Sequence, residues 1–410
     1  MTIFSPLTLP NQTVIPNRIA KAAMEENMAD AQHAPSEPLL RLYQAWADGG
    51  AGLILTGNVM VDRRGMTGPG GVVLEDDRHL DQFRRWAAVS KSQGAQIWMQ
   101  INHPGRQMQG ALGQTTLSPS AVPLDMGAFS KKFPTPKPMT LDDIGDVQDR
   151  FVRTAQLAES AGFSGVQIHA AHGYLLSQFL SPLCNQRQDP WGGCLENRAR
   201  LLLNIVKAVR SVVQPEFAVS VKLNSADFQR GGFSPEDAQQ VIGLLNETGV
   251  DLIELSGGSY EAPAMQGQAR DGRTLAREAY FLEFVKEMRA VSKVPLMLTG
   301  GIRRLAVAQE VLASGIDVVG MATALALAPD LPHQWHQGKP LAPALPPLTW
   351  KNKVLASLAQ MALVKHQLKR HSLGQSAQPH ANPIWVLLMQ QMQQGAQSRR
   401  YRQWMAGFKA

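Results

Sequence analysis

Two stretches, GLILTGNVM at Gly52–Met60 and QIWMQIN at Gln96–Asn102, decide the fold class of this chain. Both are mostly apolar, and both are bounded by residues that end strands. Runs of this kind are typical of strands that are buried on both faces, as in parallel sheets. Six further stretches share the pattern and complete a set of eight predicted strands: Arg18–Met24, Gly165–His169, Phe217–Leu223, Asp251–Leu255, Pro295–Thr299 and Asp317–Met321.

Amphipathic stretches lie between these strands and predict helices. They are Glu37–Asp48, His79–Ser92, Asp142–Ala161, Glu196–Val213, Pro235–Glu247, Arg277–Val291 and Leu305–Ala313. Strand–helix alternation repeated eight times favours a closed (β/α)8 TIM barrel of the α/β class over an open doubly wound sheet. Ahead of the first strand, Leu7–Leu9 and Thr13–Ile15 predict a short N-terminal hairpin that closes the bottom of the barrel.

Charge divides the chain into two regions. Residues 1–330 carry 30 Lys and Arg against 33 Asp and Glu, whereas residues 331–410 carry ten Lys and Arg and no acid. The Pro-rich segment LAPALPP (341–347) leads into two predicted helical segments separated by Gly374–Pro383. We therefore expect a barrel domain over residues 1–340 and a basic helical C-terminal extension over residues 341–410.

The sequence predicts a cytoplasmic protein. The N-terminal residues MTIFSPLTLPNQ lack the basic and apolar regions of a secretory signal. The apolar run Val318–Pro329 is far shorter than the roughly 20 residues that span a bilayer, so no membrane association is expected. The two cysteines, Cys184 and Cys194, cannot form a disulfide framework or supply the four thiolates of a typical iron–sulfur cluster.

Two histidines mark the end of the fourth predicted strand, which reads VQIHAAHGY from Val166 to Tyr174. Active sites of TIM barrels lie at the C-terminal ends of the strands, so His169 and His172 can both face the barrel mouth. An isolated pair is also consistent with structural histidines, or with a zinc site completed by His103. The H-x-H after strand one that metal-dependent barrel hydrolases use is absent, so we expect no metal.

The longer run Gly165–Arg200, GVQIHAAHGYLLSQFLSPLCNQRQDPWGGCLENRAR, closely resembles the signature of the Old Yellow Enzyme family. These proteins are FMN-dependent NAD(P)H:flavin oxidoreductases and ene-reductases, and the run is most similar to the branch with two histidines. The resemblance extends over most of residues 1–345. It includes Pro16-Asn17-Arg18, Met24, QINHPGR at Gln100–Arg106, Thr299-Gly300-Gly301 and Gly320.

The resemblance implies an enzyme that binds FMN non-covalently and takes electrons from NADH or NADPH. It implies reduction of activated C=C bonds, in α,β-unsaturated carbonyl or nitro compounds, by ping-pong hydride transfer through flavin N5. His169 and His172 match the pair that hydrogen-bonds the substrate oxygen, and Tyr174 matches the proton donor to the α-carbon. These three are the predicted catalytic and substrate-binding residues.

The resemblance also assigns cofactor-binding residues. Gln100 matches the residue at the flavin pyrimidine edge, and Lys222 stands where the family usually has Arg near flavin N1/O2. Gly57 would allow the ring to approach closely. Strand one would line the ring, and the ends of strands seven and eight would hold the phosphate. The residues concerned are Ala23, Met24 and Glu25 on strand one, with Gly300, Gly301, Gly320 and Met321 at the phosphate.

Besides Lys222, this sequence departs from its relatives at three positions. Met321 stands where a phosphate-binding Arg is usual, so Arg303 or Arg304 is expected to take that role. Asn27 stands where the two-histidine branch has Tyr. Glu25 stands where branches of the family have Cys or Thr, beside flavin O4/N5. We expect the Glu25 carboxyl either to be neutral through burial or to turn towards a cation such as Lys21.

Two other functions compete with this interpretation. A barrel aldolase or isomerase acting on a sugar phosphate would use the glycines but would leave the H-x-x-H-G-Y run unexplained. A binding role would use the basic extension against nucleic acid or anionic lipid, through Lys365, Lys369, Arg370, Arg399, Arg400 and Arg402 with Trp385, Tyr401 and Trp404 among them. We favour packing of the extension on its own barrel or on a neighbouring subunit. The expected partners are a small enone-type substrate and a second copy of the chain bound through the extension, without nucleic acid.

Overall fold

The computed structural model describes residues 2–264, 278–279 and 281–408. Its strands are β1 (Leu7–Thr8), β2 (Val14–Ile15), β3 (Ile19–Lys21), β4 (Leu53–Leu55), β5 (Val59–Met60), β6 (Val72–Val73), β7 (Gln96–Asn102), β8 (Leu117–Ser118), β9 (Lys137–Pro138), β10 (Gly165–Ala170), β11 (Ala218–Asn224), β12 (Leu252–Ser256), β13 (Leu296–Leu298) and β14 (Val318–Met321).

Eight of these strands form a closed parallel barrel. The ring runs β3–β4–β7–β10–β11–β12–β13–β14, each strand parallel to the next. Pairing of β14 with β3 closes it, through Gly320 opposite Ala20. The barrel strands are buried on both faces because helices cover the outside and side chains fill the inside. This confirms the predicted (β/α)8 barrel, with each observed strand inside or close to its predicted stretch.

The N-terminal hairpin plugs the bottom of the barrel. Strands β1 and β2 pair antiparallel, with Leu7 opposite Ile15. Leu7, Leu9 and Ile15 pack in one apolar cluster with inward-facing barrel residues, among them Leu53 and Trp98. The predicted hairpin is therefore confirmed, and the open end of the barrel is the one at the C-terminal ends of the strands.

The helices are α1 (Glu37–Asp48), α2 (Leu80–Ser90), α3 (Leu141–Ser160), α4 (Leu175–Leu180), α5 (Leu195–Val212), α6 (Pro235–Leu245), α7 (Val285–Val291), α8 (Leu305–Ala313), α9 (Thr323–Leu327), α10 (Leu331–His336), α11 (Lys353–Ser372) and α12 (Pro383–Ala406). Capping boxes start α3, with Thr140 and Asp143, and α6, with Ser234 and Asp237. The predicted helix Arg277–Val291 was partly wrong. Residue 277 lies outside the described residues, and a 3₁₀ turn, Leu282–Phe284, precedes α7.

The C-terminal extension packs on its own barrel. Helix α11 lies against α1 and α9, and α12 lies against α11 and the 3₁₀ turn Gly110–Leu112. The Arg41 guanidinium donates to the Ser372 carbonyl at 2.8 Å, and the Tyr401 hydroxyl donates to the Arg63 carbonyl at 2.7 Å. These contacts confirm the favoured interpretation of the extension. Within the described ranges, none of the helices has the length and apolar character needed to cross a membrane.

Candidate active site

The end of β10 places one imidazole at the barrel mouth. His169 is buried, and its ring centroid lies 5.0 Å from that of His172. The backbone N–H of Ala171 donates to His169 Nδ1 at 3.2 Å. Since Nδ1 accepts a hydrogen bond, the ring proton of the neutral imidazole resides on Nε2. His169 therefore presents an N–H donor from its far side.

His172 is held in an unusual backbone conformation, with φ of 61°. Its own N–H donates to Asn224 Oδ1 at 3.1 Å, and its Nε2 shares a hydrogen bond of 2.7 Å with the Ser256 hydroxyl. These contacts come from the ends of β11 and β12, so three neighbouring strands fix one ring. When Ser256 donates to Nε2, the proton on Nδ1 is the group left for a ligand.

Both histidines are neutral at physiological pH. Burial lowers the pKa of each imidazole well below 6.5, and the Lys222 ammonium lowers it further. Register explains the effect of Lys222, which lies directly opposite His169 on β11. A neutral imidazole carries one N–H donor, so this pair can hydrogen-bond a developing negative oxygen.

Tyr174 completes the cluster from the residue before α4. Its ring centroid lies 4.9 Å from that of His169, and its hydroxyl shares a hydrogen bond of 3.2 Å with the Tyr260 hydroxyl. Burial, Tyr260 and the Glu25 carboxylate together raise the pKa of Tyr174 well above 10, so the phenol keeps its proton. The structure thus brings the three predicted catalytic residues together.

Tyr260 was missed in the sequence analysis. Its N–H donates to Gln107 Oε1 at 3.2 Å, and the Gln107 amide donates to the His172 carbonyl at 2.9 Å. Its place in the sequence could have identified it, because Tyr260 follows the Gly-Gly pair at the C-terminal end of the sixth strand of the barrel. The long loop after the third barrel strand also joins this segment through a buried ion pair of 2.6 Å between Arg106 and Glu261.

A polar chain crosses the barrel interior below this cluster. The Gln100 amide donates to Gln167 Oε1 at 2.8 Å, and the Gln167 amide donates to Glu254 Oε2 at 2.8 Å. The Lys222 ammonium donates to the other Glu254 oxygen at 2.8 Å. The predicted cofactor residues Gln100 and Lys222 are thereby linked, and a carboxylate that the sequence analysis did not consider balances the lysine charge.

Glu25 pairs with a cation from the extension. Glu25 Oε2 accepts from Lys365 Nζ at 2.8 Å, and Oε1 accepts from the Thr67 hydroxyl at 2.7 Å. Burial raises the pKa of Glu25, but Lys365 with hydrogen bonds from Thr67 and Asn27 outweighs it, and the net pKa is lowered. Of the two expected states, the carboxylate therefore adopts the ionised, paired one.

The suggested pairing of Lys21 with Glu25 was wrong. Lys21 Nζ donates to Glu26 Oε1 at 3.3 Å and to the Leu55 carbonyl at 2.8 Å. Complete burial lowers the pKa of Lys21 to about 8, against the opposing effect of Glu26. Because the chain leaves β3 after Lys21, strand alternation no longer decides which of Glu25 and Glu26 faces the lysine.

The predicted glycines have packing roles of their own. A Cβ on Gly57 would lie 2.0 Å from Glu26 Oε2 and 2.3 Å from the Met24 carbonyl oxygen. A Cβ on Gly320 would lie 2.4 Å from Thr299 Cγ2. Both glycines are therefore required by the close approach of neighbouring barrel segments. Their contribution to cofactor binding stays a prediction.

The ends of β13 and β14 form the other half of the predicted cofactor site. Gly300 and Gly301 have positive φ of 131° and 79°, and the short helix α9 begins two residues after Met321. Glycine loops beside a short helix at these two strands are the usual phosphate site of TIM barrels. Arg303 and Arg304, expected near the phosphate, both form ion pairs with Glu278.

Together these groups fit FMN. Buried Gln100 and Lys222 offer an amide and a cation to a flavin edge, while Ala23, Met24 and Glu25 follow β3 at the same end of the barrel. The glycine loop after β13 offers backbone N–H groups to a phosphate. The zinc alternative has no comparable support. Nowhere in residues 2–264, 278–279 and 281–408 do three His, Cys, Asp or Glu side chains gather as metal ligands.

Comparison with known proteins decides the family. The profile of the NADH:flavin oxidoreductase / NADH oxidase family matches residues 2–342. The chain belongs to this family. Membership confirms the predicted Old Yellow Enzyme relationship, and with it a flavin oxidoreductase that uses FMN and a nicotinamide nucleotide. Assignment to the two-histidine branch stays a prediction.

Named relatives of this flavin oxidoreductase agree with the family match. It is 40% identical over 353 residues to the NADH-dependent flavin oxidoreductase iccE of Talaromyces variabilis, covering 80% of this chain and 84% of that one. It is 39% identical over 352 residues to iliE of Neonectria sp., covering 80% of this chain but 46% of that one. The flavin oxidoreductase thus spans less than half the length of this second relative.

A solved structure gives the same result for the fold. The Old Yellow Enzyme homologue from Zymomonas mobilis superposes with a TM-score of 0.72 at 25% identity, covering 83% of this chain and 94% of that one. The extension, in contrast, lies almost wholly beyond residue 342, where the family profile ends.

Proposed function

We propose that this flavin oxidoreductase reduces activated C=C bonds of α,β-unsaturated carbonyl or nitro compounds by ping-pong transfer from NADH or NADPH. The observation that carries the proposal is the cluster of two neutral imidazoles and one protonated phenol within 5.0 Å ring separations at the barrel mouth. A carbonyl oxygen needs hydrogen-bond donors, which the imidazoles provide, and an α-carbon needs a proton donor, which the phenol provides.

The histidines act on the substrate oxygen. His169 Nε2–H and His172 Nδ1–H donate to the carbonyl or nitro oxygen, so they withdraw electrons from the conjugated bond and stabilise negative charge on that oxygen. The β-carbon would receive a hydride, the chemistry that FMN would supply when bound. Tyr174 then gives its proton to the α-carbon, and its raised pKa keeps that proton available at neutral pH.

The cofactor would be held by the two halves of the mouth. We assign the ring to Ala23, Met24, Glu25 and Gly57 with Gln100 and Lys222, and the phosphate to Gly300, Gly301, Gly320 and Met321. Lys222 is already paired with Glu254, so the net charge that it brings to a reduced flavin is smaller than that of an unpaired cation. The main role of the Lys222–Glu254 pair is therefore to position the edge of the ring, and its effect on the charge of the reduced flavin is smaller.

An absorption spectrum with an anaerobic titration tests the function. Purified protein should be yellow, should release FMN on heating and should bleach with NADH or NADPH. An added enone such as 2-cyclohexenone should restore the colour and be recovered as the saturated ketone. Protein that stays colourless with excess FMN, or that is bleached but not reoxidised by any enone, would contradict the proposal.

We further propose that a second copy of the chain binds through α12. This helix exposes a stripe of large apolar side chains, and no charged residue lies between Pro383 and Ser398. The stripe consists of Ile384 (59% exposed), Trp385 (54%), Leu388 (60%), Met389 (44%) and Met392 (69%). An uncharged apolar patch of this kind suits an identical helix related by a two-fold axis.

Sedimentation velocity tests this interface. Wild type should sediment as a dimer, and the variant Trp385→Gln/Leu388→Gln should dissociate. A wild-type monomer would contradict the proposed interface.

A cytoplasmic location and a boundary between barrel and extension at residues 340–341 complete the proposal. Contacts of the extension with its own barrel support its assignment as an internal element.

A further inference from the structure

The extension reaches the loop that carries Glu25 at the barrel mouth. Lys365 lies in the middle of α11, and its ammonium is 2.8 Å from Glu25 Oε2, across 340 positions of sequence. Helix α11 can reach this point because it packs along α1, the helix that follows the loop carrying Glu25. A second contact fixes the same loop, since the Gln397 amide of α12 donates to the Asn27 carbonyl at 3.1 Å.

Glu25 is electrostatically connected to the proton donor. Burial is the main cause that raises the pKa of Tyr174 and of Tyr260, and the Glu25 carboxylate raises both further. The two tyrosine hydroxyls are hydrogen-bonded to each other. A negative charge at this place opposes loss of a proton from Tyr174, because the phenolate that forms would be repelled. A cation that partly offsets the charge of Glu25 therefore favours proton donation from Tyr174.

Burial alone would not keep Glu25 in this arrangement. The Glu25 and Lys365 side chains are 26% and 22% exposed, so water competes for both. Thr67 fixes one carboxylate oxygen, and Lys365 fixes the other. Within the described residues, Lys365 is the cation in hydrogen-bond contact with this carboxylate, since the nearer lysine in sequence, Lys21, is occupied by Glu26.

We propose that Lys365 is a positioning residue of the active site, supplied by the C-terminal extension, which holds the Glu25 carboxylate at the barrel mouth and offsets its negative charge. The inference rests on the proposed function, since Tyr174 is taken as the proton donor. It gives the extension a role in the reaction and not only in packing. Lys365 acts through Glu25 and does not itself touch the substrate.

Five variants test the inference in full-length, FMN-loaded protein. Lys365→Met leaves Glu25 unpaired, and Lys365→Arg keeps a cation. Lys369→Met is the matched control, one turn along α11 and exposed. Glu25→Gln/Lys365→Met, compared with Glu25→Gln alone, shows whether Lys365 acts through Glu25. Two quantities are measured: the rate at which 2-cyclohexenone reoxidises the reduced protein, and the dissociation constant of 4-nitrophenolate, which reports charge at the mouth without turnover.

Lys365→Met should slow reoxidation about tenfold and weaken 4-nitrophenolate binding about tenfold, the effect of one pKa unit. Lys365→Arg should restore both to within about threefold, and Lys369→Met should match wild type. In the Glu25→Gln background, Lys365→Met should change neither quantity by more than about twofold.

Two results would overturn the inference while wild type still reduces the enone: Lys365→Met behaving as Lys369→Met, or Lys365→Met acting equally in the Glu25→Gln background. A wild type that neither reduces enones nor binds 4-nitrophenolate would instead overturn the proposed function, and the inference with it.

Discussion

Two lysine–glutamate pairs of equal length lie in different surroundings. Lys222–Glu254 and Lys365–Glu25 both have N–O distances of 2.8 Å. The first pair is 4% and 0% exposed and joins neighbouring strands in register, whereas the second is 22% and 26% exposed and joins the barrel to the extension. A buried charge without its partner is very costly, while a partly hydrated one is not. The two pairs should therefore contribute unequally to stability, although their N–O distances are equal.

Breaking the interior pair should give the largest effect. Glu254→Gln should lower the free energy of unfolding by about 3–5 kcal/mol, because the Lys222 ammonium is left buried and unpaired. Lys365→Met should cost less than about 1 kcal/mol. Urea denaturation followed by circular dichroism measures both. The double variant Lys222→Met/Glu254→Gln should recover part of the loss, and equal losses for the two pairs would contradict the comparison.

Loss of the proton donor Tyr174 should affect one class of electron acceptor. Tyr174→Phe should slow enone reduction by about 10²-fold, the usual contribution of general acid catalysis. Reoxidation by a quinone, which needs no carbon-bound proton, should change little. Stopped-flow measurements with both acceptors check this. An equal loss with both would show that Tyr174 is structural.

A third pair, Lys21–Glu26, should be visible in the pH dependence of stability. The pKa of Lys21 falls from 10.5 in the unfolded chain to about 8 in the folded protein. The unfolded chain therefore binds more protons between these values, and the contribution of Lys21 to stability rises with pH across this window. Relative to Lys21→Met, wild type should gain at most about 1.4 kcal/mol per pH unit from pH 8 upwards.

Urea titrations of both proteins between pH 7 and 9.5 measure this gain and avoid the titration of Tyr43, whose pKa is raised well above 10 by burial. A difference in stability that stays flat with pH would mean that Lys21 keeps its charge throughout.

The smallest effect should be on the flavin potential. Glu25→Gln removes a negative charge and leaves the Lys365 ammonium uncompensated, so the two-electron midpoint potential should rise. About 30 mV corresponds to 1.4 kcal/mol of changed interaction. Spectroelectrochemical titration measures it, with Lys369→Met as control. A potential unchanged in Glu25→Gln would place the carboxylate beyond electrostatic reach of the ring.

The barrel was predictable because its signals are local. Apolar runs such as Gln96–Asn102 and the short hairpin at Leu7–Leu9 predicted the strands within a few residues. The histidine pair and Tyr174 lie within six positions at one strand end, so one motif contained the whole cluster. Residues this close in sequence are brought together by a single turn.

Contacts between distant segments were not predictable in the same way. Glu25 meets Lys365 because α11 returns along α1, and no periodicity in the sequence states where a helix docks. The Glu254 partner of Lys222 needed the register between two strands, which hydrophobic pattern alone does not give. Gly57 resembled a cofactor contact, yet the neighbouring carboxylate of Glu26 already requires it.

The most direct test is single-turnover reoxidation of NADH-reduced protein by 2-cyclohexenone, in wild type and in His169→Ala/His172→Ala. Loss of the two donors should slow this step by at least about 10²–10³-fold, while the preceding reduction by NADH changes by less than about fivefold. Since both imidazoles are already neutral, the wild-type rate should also stay flat from pH 6 to 8. Enone reoxidation at the wild-type rate in the double variant would contradict the assignment of this cluster as the active site.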